Sequence, residues 1–244
     1  PVNMPNGFGD FQCALALTSG ILGALYRREK TGLGDKVTVN LYHVACWAQQ
    51  IGLASTQFGD VWPKSRKAAA TPTNNTYMAG DGTWFVLCMG SSDTYFPLIM
   101  HILGLDHLID DERYNTLAVM NSTGTNKDVI RWMEEAFAKH DFDYWEKVFK
   151  ENNVAYHKLY YFSDILEDEE AYANDILRKL PYDEFGEKVL ATSPIRLESV
   201  GDPILYRSRP IGYDTREVML QYGYTDEDVD ALIADGVVKC YEGE

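Results

Sequence analysis

The chain has 244 residues, 45% hydrophobic and 24% charged, which is the composition of a globular protein with material for one large domain or two modest ones. A net charge of −15 excludes a nucleic-acid face, because no basic surface is available to displace phosphate counterions. It argues equally against an anionic membrane surface, yet leaves local binding of an anionic ligand open.

Met4 to Gly9 reads as a loop by its proline and glycines. Helical periodicity begins at Phe11 and places Leu15, Leu17, Ile21, Leu22 and Leu25 on a wide apolar face, so Asp10 falls at the N-cap. As a cap, its carboxylate accepts bonds from the first free amides and stabilises the helix by ~1 kcal/mol. The same amides and the helix dipole keep a carboxylate ionised, as a nucleophile must be. Gly7 and Gly9 on either side let another group come close. The residues alone leave both readings open.

Ser19, Gly20, Gly23 and Ala24 leave room in mid-helix for another backbone to press against it. Arg27, Arg28 and Lys30 suit the negative end of the helix dipole, and Thr31–Asp35 stops the helix. Lys36–Tyr42 alternates and is β-branched, which predicts a strand, and helix followed by strand suggests a parallel α/β sheet. A second helix is predicted over 44–58, followed by a basic, proline-marked connection at 61–67 that reads as solvated.

The polar loop Thr71–Thr76 leads into a hairpin, Tyr77–Ala79 and Thr83–Met89 around Gly80-Asp81-Gly82. This change to antiparallel structure puts a domain boundary near residue 70. Ser91–Asp93 caps a helix that carries Phe96, Ile99 and Leu103 and stops at Gly104. After an acidic, turn-like stretch at 106–114, amphipathic helices are predicted over 125–139 and 142–152, with Trp132, Phe137, Trp145 and Phe149 as core. An acidic helix follows at 163–172, extended chain at 192–197, and closing helices at 216–222 and 225–235.

The four cysteines, Cys13, Cys46, Cys88 and Cys240, lie far apart and read as reduced structural thiols, the first two within apolar stretches. The five histidines have no HxH or HExxH spacing, so no metal is expected. There is no signal peptide and no run of about 20 apolar residues that spans a bilayer, which points to a cytoplasmic protein. Bottom-up reading thus arrives at an acidic α/β protein and one suggestive aspartate, without a reaction.

Gly9-Asp10, Ser19–Leu25, Thr31–Gly34 and Val37–Val39 together resemble the family III CoA-transferases of the CaiB/BaiF type. Asn75–Tyr77 with Asp81–Trp84, Phe96–Leu105, Asp111–Asn115, Arg209–Met219 and Tyr222–Tyr224 continue the resemblance in order along nearly the whole chain. Asp35 stands where the family usually has glutamine, and Tyr213-Asp214 where it usually has Glu-His.

The resemblance implies a Rossmann-like parallel-sheet large domain, incomplete in this chain, with a smaller α/β domain inserted. Residues 1–70, with the nucleophile, and 171–244 would belong to the large domain and 71–170 to the small one. Family members are longer, and a nucleotide-binding half precedes the catalytic aspartate. Partners are therefore a second copy in an interlocked homodimer or the missing N-terminal half, and most contacts to coenzyme A lie in that half. The isolated chain is expected to bind coenzyme A poorly, and calorimetry showing tight binding by this chain alone would overturn that.

By the same resemblance Asp10 is the nucleophile, and Gly9, Asn74 and Asn75 contact substrate, an acyl-CoA and a carboxylic acid. Turn chemistry is an equal explanation of the two asparagines. Trp47, Phe58, Trp62 and Tyr77 suit a bulky or aryl acid, such as a 2-hydroxy acid, and core packing explains them as well. The alternatives are an α-methylacyl-CoA racemase, with Asp93 at the position of its acidic base, and an inactive scaffold subunit of the same fold.

Overall fold

Helix α1 runs from Phe8 to Thr31 and starts earlier than its apolar periodicity suggests. Gly7, at φ 82°, takes the left-handed conformation that turns the chain into the helix, and its carbonyl accepts the first bond from the Phe11 amide at 3.0 Å. Asp10 is therefore the third residue of the helix and not its cap, which is Gly7 and carries no side-chain bond. The other end closes as expected, with Gly32 at φ 73° donating to the Arg28 carbonyl at 2.8 Å. Arg27 reaches past it to the Gly34 carbonyl and to Asp35, at 3.1 and 3.2 Å.

The structure is a computed structural model that describes residues 4–182, 185–201 and 205–241. It divides into two compact units that part between Leu159 and Tyr160.

In the first unit the strand expected over Lys36–Tyr42 does not form. The segment finds no partner strand among the described residues, and without a ladder β-propensity alone holds nothing. Instead the Val37 side chain lies on Gly20 of α1, so close that a Cβ there would sit 2.7 Å from Val37 Cγ1. The room left by the small mid-helix residues is thus occupied. Asn40 then ends the extended stretch by capping helix α2 (Leu41–Ala48), its Oδ1 accepting the His43 amide at 2.8 Å. The helix predicted over 44–58 is two helices, α2 and α3 (Gln50–Thr56), which meet at Gln49.

No residue of α1, α2 or α3 is buried, and Phe11 is 74% and Phe58 92% exposed. By length and composition α1 could cross a membrane, which corrects the expectation that no segment of that kind exists. The same two properties also describe the core helix of a soluble protein.

The hydrophobic core lies further along this unit. Strands β1 (Thr76–Met78) and β2 (Trp84–Leu87) pair antiparallel with Tyr77 opposite Phe85, the predicted hairpin. Its Asp81 accepts the Thr83 amide and hydroxyl at 3.1 and 2.9 Å. Helices α4 (Ser92–Ile102), α5 (Leu117–Thr123), α6 (Asn126–Phe137) and α7 (Phe142–Glu151) follow. Strand β3 (Tyr156–Lys158) then returns to pair antiparallel with β2, giving the order β1-β2-β3. Three residues are too few to display an alternation, so β3 leaves no signal in the sequence.

Phe137 is the centre of the packing, 5.0 Å from both Tyr77 and Phe85 and 5.1 Å from Trp145, ring centre to ring centre. Phe137, Trp145 and Phe149 are buried as predicted. Trp132 is half-buried, its ring edge-on to Tyr114 at 5.3 Å.

Gly80 is where the hairpin touches the α6–α7 corner. Its amide donates to the His140 carbonyl at 2.7 Å, and an added Cβ would meet the Ala138 carbonyl at 2.6 Å. Gly80→Ala must therefore lift the hairpin from that corner and should cost ~2–3 kcal/mol, read as a lower urea midpoint at unchanged slope.

The second unit contains α8 (Phe162–Leu166), α9 (Glu169–Ala173), β4 (Leu177–Tyr182), β5 (Gly186–Ala191), α10 (Thr215–Gln221) and α11 (Asp226–Ala234). The acidic helix expected at 163–172 is split, because Asp168 leaves the helix to cap α9 by accepting the Glu170 amide at 3.0 Å. β4 and β5 form an unanticipated antiparallel hairpin. The closing helices stand where the periodicity puts them, and Thr225 and Asp228 cap α11 reciprocally. Both sheets are antiparallel, so the parallel sheet suggested by the first forty residues is not formed among the described residues.

Candidate active site

Asp10 projects from the first turn of α1 and is exposed. Its carboxylate has no hydrogen-bond or ion-pair partner among the described residues. Beside it, the amides of Gly9 and Asp10 itself have no backbone acceptor, since the first turn of a helix leaves its N–H groups free. Gly9 faces Leu41, whose Cδ2 lies 3.5 Å from where a Cβ would stand. Ordinary contact is all that a side chain would meet there, so packing does not require a glycine at this position.

The loop 71–76 is stapled down almost throughout. Buried Thr73 donates to the Met89 carbonyl at 3.1 Å and bonds Ser92 Oγ at 3.3 Å. Tyr77 donates to the Pro72 carbonyl at 2.7 Å, and burial pushes its phenol well above the usual range. Asn75 is buried and its amide donates to the Arg66 carbonyl at 2.8 Å, while its own carbonyl accepts the Leu87 amide at 3.0 Å. Turn chemistry therefore accounts for Asn75. Asn74 is exposed at the loop tip, its backbone amide closing the turn onto Thr71 at 3.0 Å. The two asparagines thus share a loop but differ in burial and bonding, and no hydrogen bond links either to Gly9 or Asp10 among the described residues.

Asp93, in the first turn of α4, accepts the Leu117 amide through Oδ1 at 2.6 Å. It closes the start of α5 across 24 residues, a tie no local sequence signal announces. The aromatic set is dispersed. Trp47 lines a cleft of about 540 Å3 between α1 and α2 together with Leu15, Ser19 and His43. Trp62 lines a separate cleft beside α3 and donates to Ser55 Oγ at 3.1 Å. Tyr77 belongs to the core and Phe58 to neither cleft. The four thiols are free; Cys13, Cys46 and Cys240 are half-buried, so none has the full burial of a core residue, and Cys88 is exposed.

Asp111 and Arg113 form a close pair, Arg113 donating through Nε at 2.9 Å and Nη2 at 2.6 Å. The guanidinium holds the Asp111 carboxyl down at about 2. A carboxyl lowered on folding stabilises the protein above its unfolded value and stops doing so as pH falls through its folded one. The pair's contribution is thus present above pH ~4 and fades towards pH ~2. Asp111→Asn should flatten the loss of stability across that window, measured by acid titration of the helical circular dichroism.

Residues 1–215 match the model of CoA-transferase family III. The chain is 33% identical over 238 residues to the cinnamoyl-CoA:phenyllactate CoA-transferase of Clostridium sporogenes, covering 96% of this chain and 58% of that protein. It is 30% identical over 239 residues to the (R)-2-hydroxy-4-methylpentanoate CoA-transferase of Clostridioides difficile, covering 98% and 59%. It is also similar in fold to a CaiB/BaiF family protein from Brucella suis, with a TM-score of 0.68 at 20% identity over 91% of this chain and 57% of the other. The chain spans less than two thirds of the length of the curated relatives it matches. A match that runs from the loop before Asp10 to the start of α10 leaves one conclusion: the chain belongs to CoA-transferase family III.

Proposed function

We propose that the complete protein is a CoA-transferase that moves coenzyme A from an acyl-CoA donor to a carboxylic acid, with Asp10 as nucleophile. The observation that carries this reading is an unpaired, exposed carboxylate in the first turn of α1, within the part of the chain that matches the family. An Asp10 oxygen attacks the donor thioester carbonyl, the C–S bond breaks, and coenzyme A leaves as thiolate, giving a mixed aspartyl anhydride. The thiolate attacks the aspartyl carbonyl and expels the donor acid as carboxylate, leaving an aspartyl-CoA thioester. The acceptor carboxylate and the returning thiolate repeat both steps in reverse order. No proton moves and no water is consumed, so the site's task is to hold thiolate and carboxylate together and keep water out. The free amides of Gly9 and Asp10 would supply donors for the oxyanion of each tetrahedral intermediate.

For the acids, the names of the two relatives above support a 2-hydroxy acid with an aryl or branched side chain. We assign Asn74 rather than Asn75 to the substrate carbonyl, because the Asn75 amide is already bonded to Arg66. The racemase reading is weakened by the bond between Asp93 and Leu117, since a base that must take a substrate proton is here committed to a backbone amide. The proposal includes a cytoplasmic protein that works as a dimer or with its nucleotide-binding half. Its large Rossmann-like domain comprises 1–70 and 171–244, and its small domain 71–170, whose packed core runs from Thr73 to Val154.

Hydroxylamine trapping is the direct test. The complete enzyme, incubated with an acyl-CoA donor and quenched with hydroxylamine, should yield a hydroxamate on the Asp10 peptide. An unmodified Asp10, with solvent deuterium entering the acyl α-carbon, would establish the racemase instead. An unmodified Asp10 with no turnover of any donor would favour the scaffold.

A further inference from the structure

The stretch read as a solvated linker ends in a short turn, Arg66–Ala69, that is held from several sides. Arg66 forms an ion pair with Glu134 of α6, both side chains about two-thirds or more covered, and its guanidinium lies 4.7 Å over the Trp84 ring of β2. The Arg66 carbonyl accepts the Asn75 amide at 2.8 Å, and the Ala69 carbonyl accepts the Asn126 amide at 2.7 Å. Both asparagines are buried, and Ala69 packs against the core. A connection that needed only to span a gap would leave its carbonyls to water. Here two buried side-chain amides and a half-buried ion pair converge on four residues, each of which would carry an unmet polar group if the turn moved.

We infer that Arg66–Ala69 is a clamp that fixes the loop 71–76 on the aromatic core, and that Arg66 is a positioning residue for the transfer reaction. The loop 71–76 begins two residues beyond the clamp, and Asn75 belongs to both. The turn and the loop therefore share one anchor, so a displacement of the turn moves the loop. The second half of the inference rests on the function proposed above; the first does not.

Two measurements separate them. In this chain, Glu134→Gln and Arg66→Met should each raise amide exchange about tenfold at Ala68 and Ala69, whose backbone bonds lie in the turn, and at Leu87, which donates to the Asn75 that the turn holds, and leave α7 unchanged. Exchange equal to wild type would overturn the clamp. In the complete enzyme, the same variants should lower kcat about tenfold with KM for acyl-CoA within about twofold, and Arg66→Lys, which can still pair with Glu134, should recover part of the loss. A fall in Tm with kcat per folded molecule unchanged would overturn the positioning role and leave a structural one. If wild-type enzyme gives no Asp10 adduct, the proposed function fails, and the exchange result still decides the clamp.

Discussion

Asp10→Asn in the complete enzyme should lower kcat by about 10^4-fold or more, with the hydroxamate lost and acyl-CoA binding retained. Asparagine keeps the size of the side chain and its place in the first turn of an exposed helix, so folding is not at stake. What it removes is the anionic oxygen: an amide does not form an anhydride with a thioester. Stability should change little, since Asp10 has no bonded partner to lose among the described residues.

The oxygen balance of the proposed steps adds a positive control in the wild type. One carboxylate oxygen of each acceptor molecule ends on the aspartate, because the last anhydride breaks on the acyl side when the thiolate attacks. A single turnover with an acceptor acid labelled with heavy oxygen should therefore leave one label in the Asp10 peptide. Asp10→Asn enzyme that kept a tenth of its activity, or a peptide that stayed unlabelled during turnover, would remove Asp10 from the mechanism.

The second large effect concerns stability. Phe137→Ala should destabilise the first unit by ~3–5 kcal/mol, the range for deleting a buried aromatic ring from a packed core. Phe137 touches Tyr77 and Phe85 of the hairpin and Trp145 and Phe149 of α7, so it joins α6 to both elements. Its carbonyl also accepts the Trp145 indole N–H at 2.9 Å, a bond the substitution leaves in place only if the helix end does not shift. A loss of that size is most of a domain's stability, so the variant should be largely unfolded by circular dichroism at 37 °C. Exposed Phe58, changed to alanine in the same chain, should cost almost nothing and serves as the contrast.

Some of this was legible before any coordinates. The hairpin around Gly80-Asp81-Gly82 follows from turn chemistry, and α6 and α7 from a strong helical period with aromatics on one face, because both signals are local. The cap at Asn40 acts over three residues too, but it lies inside the stretch whose alternation reads as a strand, so that pattern hides it. The ordered motifs around Asp10 carried the family. Composition and period could not say what Lys36–Tyr42 would do, because a strand exists only with a partner, and here Val37 packs on Gly20 instead. Asp10 moved from cap to third helical residue because Gly7 started the helix one turn early. The commitments of Asn75 to Arg66, Asp93 to Leu117 and Asn126 to Ala69 join residues 9, 24 and 57 positions apart. The sequence alone thus determined the core helices α4, α6 and α7, its hairpin and the family. Which polar groups are spent on holding the fold, and which remain free for substrate, only the tertiary structure decided, because a hydrogen bond between distant residues depends on where the chain returns and not on what lies beside it in sequence.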